Sequence, residues 1–214
     1  PAHFTEEVER DAEKIPGQIT EADIQSRRDF RNVPTFTIDP ADARDFDDAI
    51  SLRRLENGNW EVGIHIADVT HYVKPGTLTE EEARQRATSV YLVDRVVPML
   101  PERLSNEICS LNPSEDKLTY SAVFELNEKS EVIDEWFGRT IIRSDRRFSY
   151  SDAQKVIDTG DGDMKEQLIT LHNLAQMLRS RRFATGSFAF ERLEVKFNLS
   201  EKGVPLGILF REFG

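Results

Sequence analysis

The sequence predicts an α+β fold: a mixed, largely antiparallel sheet with helices packed against it. Hairpin signals recur along the chain, because Asn57-Gly58, Asn127–Ser130 and Lys202-Gly203 each separate two β-patterned runs. Helical runs are mixed among these hairpins. No internal repeat and no low-complexity tract interrupts the pattern.

Residues 1–33 read as a charged, helical lead-in. Thr5 and Thr20 each precede a short helix-like run, and Pro16-Gly17 breaks the chain between them. The lead-in holds too few large apolar residues to fold alone, so it is expected to be a linker strapped to a main body over residues 34–214. Thr35–Ile38 is a short strand. Ala49–Leu55 and Trp60–Ala67 flank the Asn57-Gly58 turn, and in the second run Trp60, Val62, Ile64 and Ile66 alternate with Glu61, Gly63, His65 and Ala67. Thr79 to Thr88 is helical, with Thr79 and Glu82 as a capping box. Glu102–Leu111 is a further helix. Leu118–Leu126 and Val132–Ile142 make the second hairpin.

Ser151 is expected to cap a helix through Ile157. The longest helix spans about Met164–Phe183, with Leu168, Leu171, Leu174, Ala175 and Leu178 on one face, and Gly186 is its stop signal. Phe188–Leu199 and Leu206–Phe213 form the last hairpin. A strand at the end of the chain, and a first residue that is not Met, are expected of a piece of a longer protein.

Composition sets the function classes. The 214 residues are 38% hydrophobic and 31% charged, which fits a globular domain and not a disordered tail. A single cysteine, Cys109, excludes an internal disulfide and points to a reducing compartment such as the cytoplasm. No run of about 18 apolar residues exists, so no membrane span or membrane partner is expected. The charged first residues lack the apolar segment of a secretory signal. There are 28 basic and 39 acidic residues, a formal net charge of −11. A protein that wraps nucleic acid by counterion release is usually basic. That argument loses its force where the acids are gathered to hold cations.

They are gathered. Five aspartates fall within ten positions, at 39, 42, 45, 47 and 48, between a strand and a hairpin. Two carboxylates about 4 Å apart repel by roughly 4 kcal/mol at an effective dielectric of about 20. Several of them on one loop need protons or cations to neutralise them. Oxygen ligands with no nearby cysteine suit Mg²⁺, Mn²⁺ or Ca²⁺ over Zn²⁺. A calcium-binding loop started at Asp45 would place Ile50 where glycine is needed, and one started at Asp39 would place Arg44 there. Mg²⁺ shares its shell with water and substrate phosphate, so a phosphodiester-cleaving site fits better. The plain alternative is a solvated acidic turn, since Asp favours turns. Phe46, an apolar residue amid the acids, argues for a loop packed on the body.

The run Thr37-Ile38-Asp39-Pro40-Ala41-Asp42-Ala43-Arg44-Asp45-Phe46-Asp47-Asp48-Ala49-Ile50 resembles the signature of the ribonuclease II / ribonuclease R (RNB) family of exoribonucleases. Trp60 to Val73, Ser89-Val90-Tyr91-Leu92, Val97 to Pro101 and Leu104 to Asn112 resemble the family's next blocks in the same order. The similarity is strongest to the ribonuclease R branch and runs from about Asn32 to the end of the chain.

The resemblance implies a hydrolytic, processive 3′-to-5′ exoribonuclease that releases nucleoside 5′-monophosphates with Mg²⁺, with Mn²⁺ as a possible substitute. It places the family's four active-site aspartates on Asp39, Asp45, Asp47 and Asp48, and leaves Asp42 peripheral. It places RNA-stacking aromatics on Tyr91, Phe190 and Tyr150, where stacking would grip any sequence. The implied partner is the 3′ end of single-stranded RNA. The family's arginine in a Pro-Ile-Arg-like run, and its flanking cold-shock and S1-type domains, have no match in this sequence, so the chain alone is expected to be weak or inactive. A non-catalytic RNA-binding or regulatory module of the same fold is the alternative. His65 is expected to be a hydrogen-bonded structural residue and Asp68 to orient the turn after its strand. Arg139, Arg143, Arg146, Arg147, Arg179, Arg181 and Arg182 are the densest basic groups, placed either to line an RNA channel or to balance the acids.

Overall fold

Period-two patterning and tight turns build the sheet. The computed structural model describes residues 3–188, 192–200 and 205–213. The strands are β1 (Arg28–Asp29), β2 (Thr35–Asp39), β3 (Asp48–Arg54), β4 (Trp60–Ala67), β5 (Val90–Tyr91), β6 (Val96–Val97), β7 (Asp116–Leu126), β8 (Val132–Arg143), β9 (Arg146–Ser149), β10 (Arg192–Leu199) and β11 (Pro205–Phe213). Seven of them form one sheet in the order β1-β8-β7-β4-β3-β2-β9. The inner pairings are antiparallel, and the two outer ones, β1 with β8 and β2 with β9, are parallel. The sheet is therefore mixed and largely antiparallel, with helices packed on it, as the sequence predicts. β5 with β6 and β10 with β11 are separate two-stranded ribbons. The Lys202-Gly203 turn lies outside the described residues.

The helices are α1 (Glu6–Glu13), α2 (Glu21–Gln25), α3 (Val69–Tyr72), α4 (Leu78–Arg86), α5 (Tyr150–Thr159) and α6 (Lys165–Ala184). Thr5 and Thr20 cap the first two, each accepting a backbone N–H with its hydroxyl. Two other caps differ from expectation. Thr77, not Thr79, caps α4, because Thr77 accepts from the Glu80 amide while Thr79 donates its amide and hydroxyl to Asp11 of α1. Ser149, not Ser151, caps α5, since it accepts from the Asp152 amide and Ser151 falls inside the first turn. The expected helix over Glu102–Leu111 is instead one π-helical turn, Arg103–Ile108, in which the Cys109 amide reaches back to Leu104 O. The Lys117 ammonium donates to the carbonyls of Glu107 and Ile108 and so ends the turn. On α6, Leu168 and Leu174 are buried but Ala175 is exposed, so the inward stripe is narrower than its apolar pattern suggests.

One core, with Phe30, Phe46, Leu104, Leu111, Ile141 and Ile142, lies under the lead-in and the π-turn. Two smaller clusters, Phe36/Phe148/Val156/Leu168 and Leu52/Val62/Leu126/Leu174, fix α5 and α6. The β4 alternation runs against hydrophobicity. Glu61, Gly63, His65 and Ala67 are buried, while Ile64 and Ile66 are exposed. The reason is a polar ladder inside the larger core. The His65 ring bonds Ser121 Oγ at 2.7 Å and Ser51 Oγ at 2.8 Å, with an edge of Phe30 against it. Ser121, Thr140 and Thr119 continue the ladder. A Cβ at Gly63 would collide with Ser51 Oγ and the His65 ring, so only glycine fits there. Burial pushes His65 down to about 4, leaving it neutral and structural at neutral pH.

The lead-in is locked to this ladder by Arg27. Its guanidinium meets Asp68 at 2.7 Å with both side chains 2% exposed, and it donates to the carbonyls of Thr119 and Thr140. Removing one partner would strand a buried charge. Arg27→Met is expected to lower unfolding free energy by about 3–5 kcal/mol, read by urea denaturation, and Arg27→Met with Asp68→Leu should regain most of it.

Candidate active site

The acidic segment leaves the sheet at the end of β2 and re-enters it at the start of β3. Asp39 is the last residue of β2, 8% exposed, and its Oδ2 is buried with no hydrogen-bond partner among the described residues. Asp48 is the first residue of β3, paired in register with Ile66. The loop between them is pinned at one residue. Phe46 sits in the large core, its amide donates to Ser110 Oγ at 3.0 Å, and its carbonyl accepts from the Leu111 amide at 2.9 Å. Ser110 Oγ in turn donates to Arg44 O, and the Ala67 amide donates to Asp47 O. With Phe46 turned inward, Asp45 and Asp47 project on either side of it.

The carboxylates act on one another. Burial raises Asp39 above the usual carboxylate range; the neighbouring Thr37 hydroxyl opposes this most, the charges of Asp48 and Asp45 add to it, and Arg147 also opposes it. Asp47 is pushed up to about 6 by its low-dielectric setting first, then by Asp45, Asp48 and Asp39. Asp47 is nonetheless solvent exposed, so water screens part of this effect. Among the described residues nothing pulls Asp47 appreciably the other way. Among the described residues, no three Asp, Glu, His or Cys groups converge tightly enough to enclose a metal ion by themselves. The four share a field and not yet a point. Asp42 is exposed on the turn closed by Ala43 N to Pro40 O.

Tyr91 is brought to this cluster. It lies on β5, largely exposed, and its hydroxyl donates to Asp45 Oδ2 at 2.9 Å. Partial burial of the hydroxyl, then that bond, push Tyr91 up to about 12, so it stays a donor. Tyr150, exposed, opens α5 one residue after Ser149, which stands beside Asp39 in the β2–β9 register. Phe190 lies outside the described residues. His65 and Asp68 belong to the buried ladder and not to the cluster.

Sequence reasoning missed Ser110, and of its two readings of the arginines the contacts favour the one in which they balance the acids. Arg139, Arg143 and Arg146 pair with Asp68, Asp116 and Asp163. Arg181 donates to the carbonyls of Lys129 and Ser130, and Arg147 to those of Pro40 and Ala41. These five serve the fold. An exposed-looking arginine carries no local pattern that would reveal a distant carbonyl.

Residues 27–212 match the RNB domain. The chain belongs to the RNB-domain family. It is 44% identical over 223 residues to ribonuclease R 1 of Lactococcus lactis, covering 100% of the chain and 27% of that protein. It is 40% identical over 209 residues to the inactive exonuclease DIS3L2 of Arabidopsis thaliana, covering 90% of the chain and 20% of that protein. Its fold is similar to the solved structure of Mycoplasma genitalium RNase R in complex with ribose methylated single-stranded RNA, with a TM-score of 0.88 and 27% identity over 98% of the chain and 33% of that structure. The chain thus spans a third or less of the length of these relatives. No helix among the described residues is long and apolar enough to cross a membrane.

In this RNB domain the Asp47 charge opposes folding. Its folded-state value lies above the ordinary 3.8, so its contribution favours the folded state at low pH and is lost as pH rises through about 6. Asp47→Asn is expected to raise the thermal midpoint by a few degrees at neutral pH in metal-free buffer. The gain should shrink toward nothing at acid pH, as differential scanning calorimetry would show.

Proposed function

We propose that this chain is the metal-binding portion of a Mg²⁺-dependent exoribonuclease that hydrolyses single-stranded RNA processively from its 3′ end to nucleoside 5′-monophosphates. The observation that carries the reading is the gathering of Asp39, Asp45, Asp47 and Asp48 at one sheet end, with Asp39 Oδ2 buried and without a hydrogen-bond partner among the described residues. An all-oxygen, mutually repelling donor set suits a hard divalent ion. Mg²⁺ needs only one or two carboxylates at a time, the rest of its shell being water and substrate phosphate, so a loose cluster fits it. Mn²⁺ is the natural substitute.

Asp39, Asp45, Asp47 and Asp48 would hold the ions, whose chemistry is an activated water and charge relief for the departing 3′ oxygen. The chain's own residues do the rest. Phe46 keeps the loop dry on its inner side. Tyr91, Tyr150 and Phe190 would stack on bases, which grips RNA without reading it. Cold-shock and S1-type domains of the same protein would supply further RNA contacts. A cytoplasmic setting accords with Cys109, a buried free thiol.

A non-catalytic module is the second reading, and the likeness to an inactive exonuclease favours keeping it. The four aspartates stand against it. With RNA labelled at the 3′ end, Mg²⁺ titration should release labelled mononucleotide at once. Asp47→Asn in the full-length protein should lower that rate by about 10²–10³-fold or more while RNA binding survives. Wild-type turnover in the variant would remove the mechanism, and no Mg²⁺-dependent release from the unaltered protein would favour the non-catalytic reading. Tyr91→Ala should weaken binding of single-stranded RNA by about 1–3 kcal/mol, measured by fluorescence anisotropy.

A further inference from the structure

We infer that Arg147 is a positioning residue for the divalent-ion site: it clamps the aspartate loop and thereby holds Asp39 in register with Asp45, Asp47 and Asp48. The inference rests on the function proposed above. Arg147 belongs to β9 and pairs in register with Thr37 of β2, two residues before Asp39. Its Nη2 donates to Pro40 O and to Ala41 O, each at 2.7 Å. Its guanidinium carbon stands 5.1 Å from the centre of the Phe46 ring. Its positive charge also acts on Asp39. One side chain therefore bonds the start of the loop at Pro40 and Ala41, lies against Phe46 near its far end, and sets its charge near the Asp39 carboxylate where the loop leaves the sheet.

The geometry needs a guanidinium. A flat group can lie against a ring while its edge reaches two carbonyls, and an ammonium cannot do both. Charge and geometry predict opposite outcomes, which makes the claim testable. By Coulomb's law alone, a cation beside Asp39 repels a divalent ion, so removing it should tighten metal binding. If the clamp dominates, removing it should loosen the carboxylates and weaken metal binding despite that relief. Outer residues that orient metal ligands are typically worth about 10–100-fold in affinity or activity.

The test uses Arg147→Lys and Arg147→Ala in the full-length protein, with Mn²⁺ as probe, read by electron paramagnetic resonance without RNA. Arg147→Lys keeps the charge and loses the clamp, so its Mn²⁺ dissociation constant should rise about 10–100-fold. KM for RNA should stay near wild type while kcat at limiting metal falls. Arg147→Ala should also bind Mn²⁺ more weakly than wild type. Hydrogen exchange gives a second readout: the Ala43 amide, bonded to Pro40 O at 3.0 Å, should lose protection in Arg147→Lys while β3 and β4 amides keep theirs. Wild-type Mn²⁺ affinity in Arg147→Lys, tighter binding in Arg147→Ala, or unchanged Ala43 protection would each overturn the inference. If the unaltered protein neither binds Mn²⁺ nor releases mononucleotides, the functional reading fails and takes the clamp's role with it. If it does both and only the variants behave as wild type, the clamp alone is wrong.

Discussion

Mutual repulsion among Asp39, Asp45, Asp47 and Asp48 is the constraint around which the rest of the domain is arranged. A loop left to itself would swing these side chains apart into water. Here it cannot, because its two ends are residues of adjacent antiparallel strands and a phenylalanine near its far end is sunk in the core. Burial of Phe46 contributes on the order of 2 kcal/mol, similar in size to a few screened carboxylate contacts. Ser110, Leu111 and Ala67 then take the backbone groups on either side of it. The scaffold's hydrophobic energy is thus set against the site's electrostatic cost, as expected where charge is gathered for a ligand.

The fold was legible wherever a short stretch of chain specifies its own geometry. Asn57-Gly58 marks a hairpin whichever sheet it joins, and the paired runs around Asn127–Ser130 carry their own register. Long-range pairings left no such trace. β1 is two residues long and joins the sheet through Arg28 and Asp29 opposite Thr140 and Ile141, and β9 is four residues long and runs parallel to β2. Neither has enough chain to show a period. The same distinction explains the caps. Thr77 and Thr79 both precede an acidic residue at capping distance, and what separates them is Asp11, far away in sequence, which claims Thr79.

The site divides along the same line. The aspartates and Phe46 are adjacent in sequence, so their density could be read directly. Tyr91 came from the family pattern, yet its bond to Asp45 joins elements that local reasoning cannot bring together. His65 is the hydrogen-bonded structural residue the sequence suggested, on a face that hydrophobicity alone would turn outward. Ile64 and Ile66 look like the buried face of β4, but the ladder of Ser51, His65, Ser121 and Thr140 satisfies its polar atoms internally and fills the core instead. A fully bonded polar core specifies one register, since sliding β4 by one residue would bring Ile64 inward and leave both serines unpaired.

The charge balance acquires a physical meaning from these contacts. A net charge of −11 would argue against RNA if the basic residues were a free surface field. They are not. Arg27 is buried against Asp68, Arg31 bridges Asp29 and Asp116, and Arg143 also meets Asp116. The arginines hold the acidic body together, while among the described residues the charges of the aspartates at 39, 45, 47 and 48 are offset chiefly by the Thr37 and Tyr91 hydroxyls and Arg147. Under the proposed function, attraction for an anionic polymer would come by way of divalent cations and base stacking, both of which act at short range. On that reading, such a domain would favour a strand end that reaches the cluster over duplex passing by at a distance, because beyond about a Debye length its own field repels phosphate.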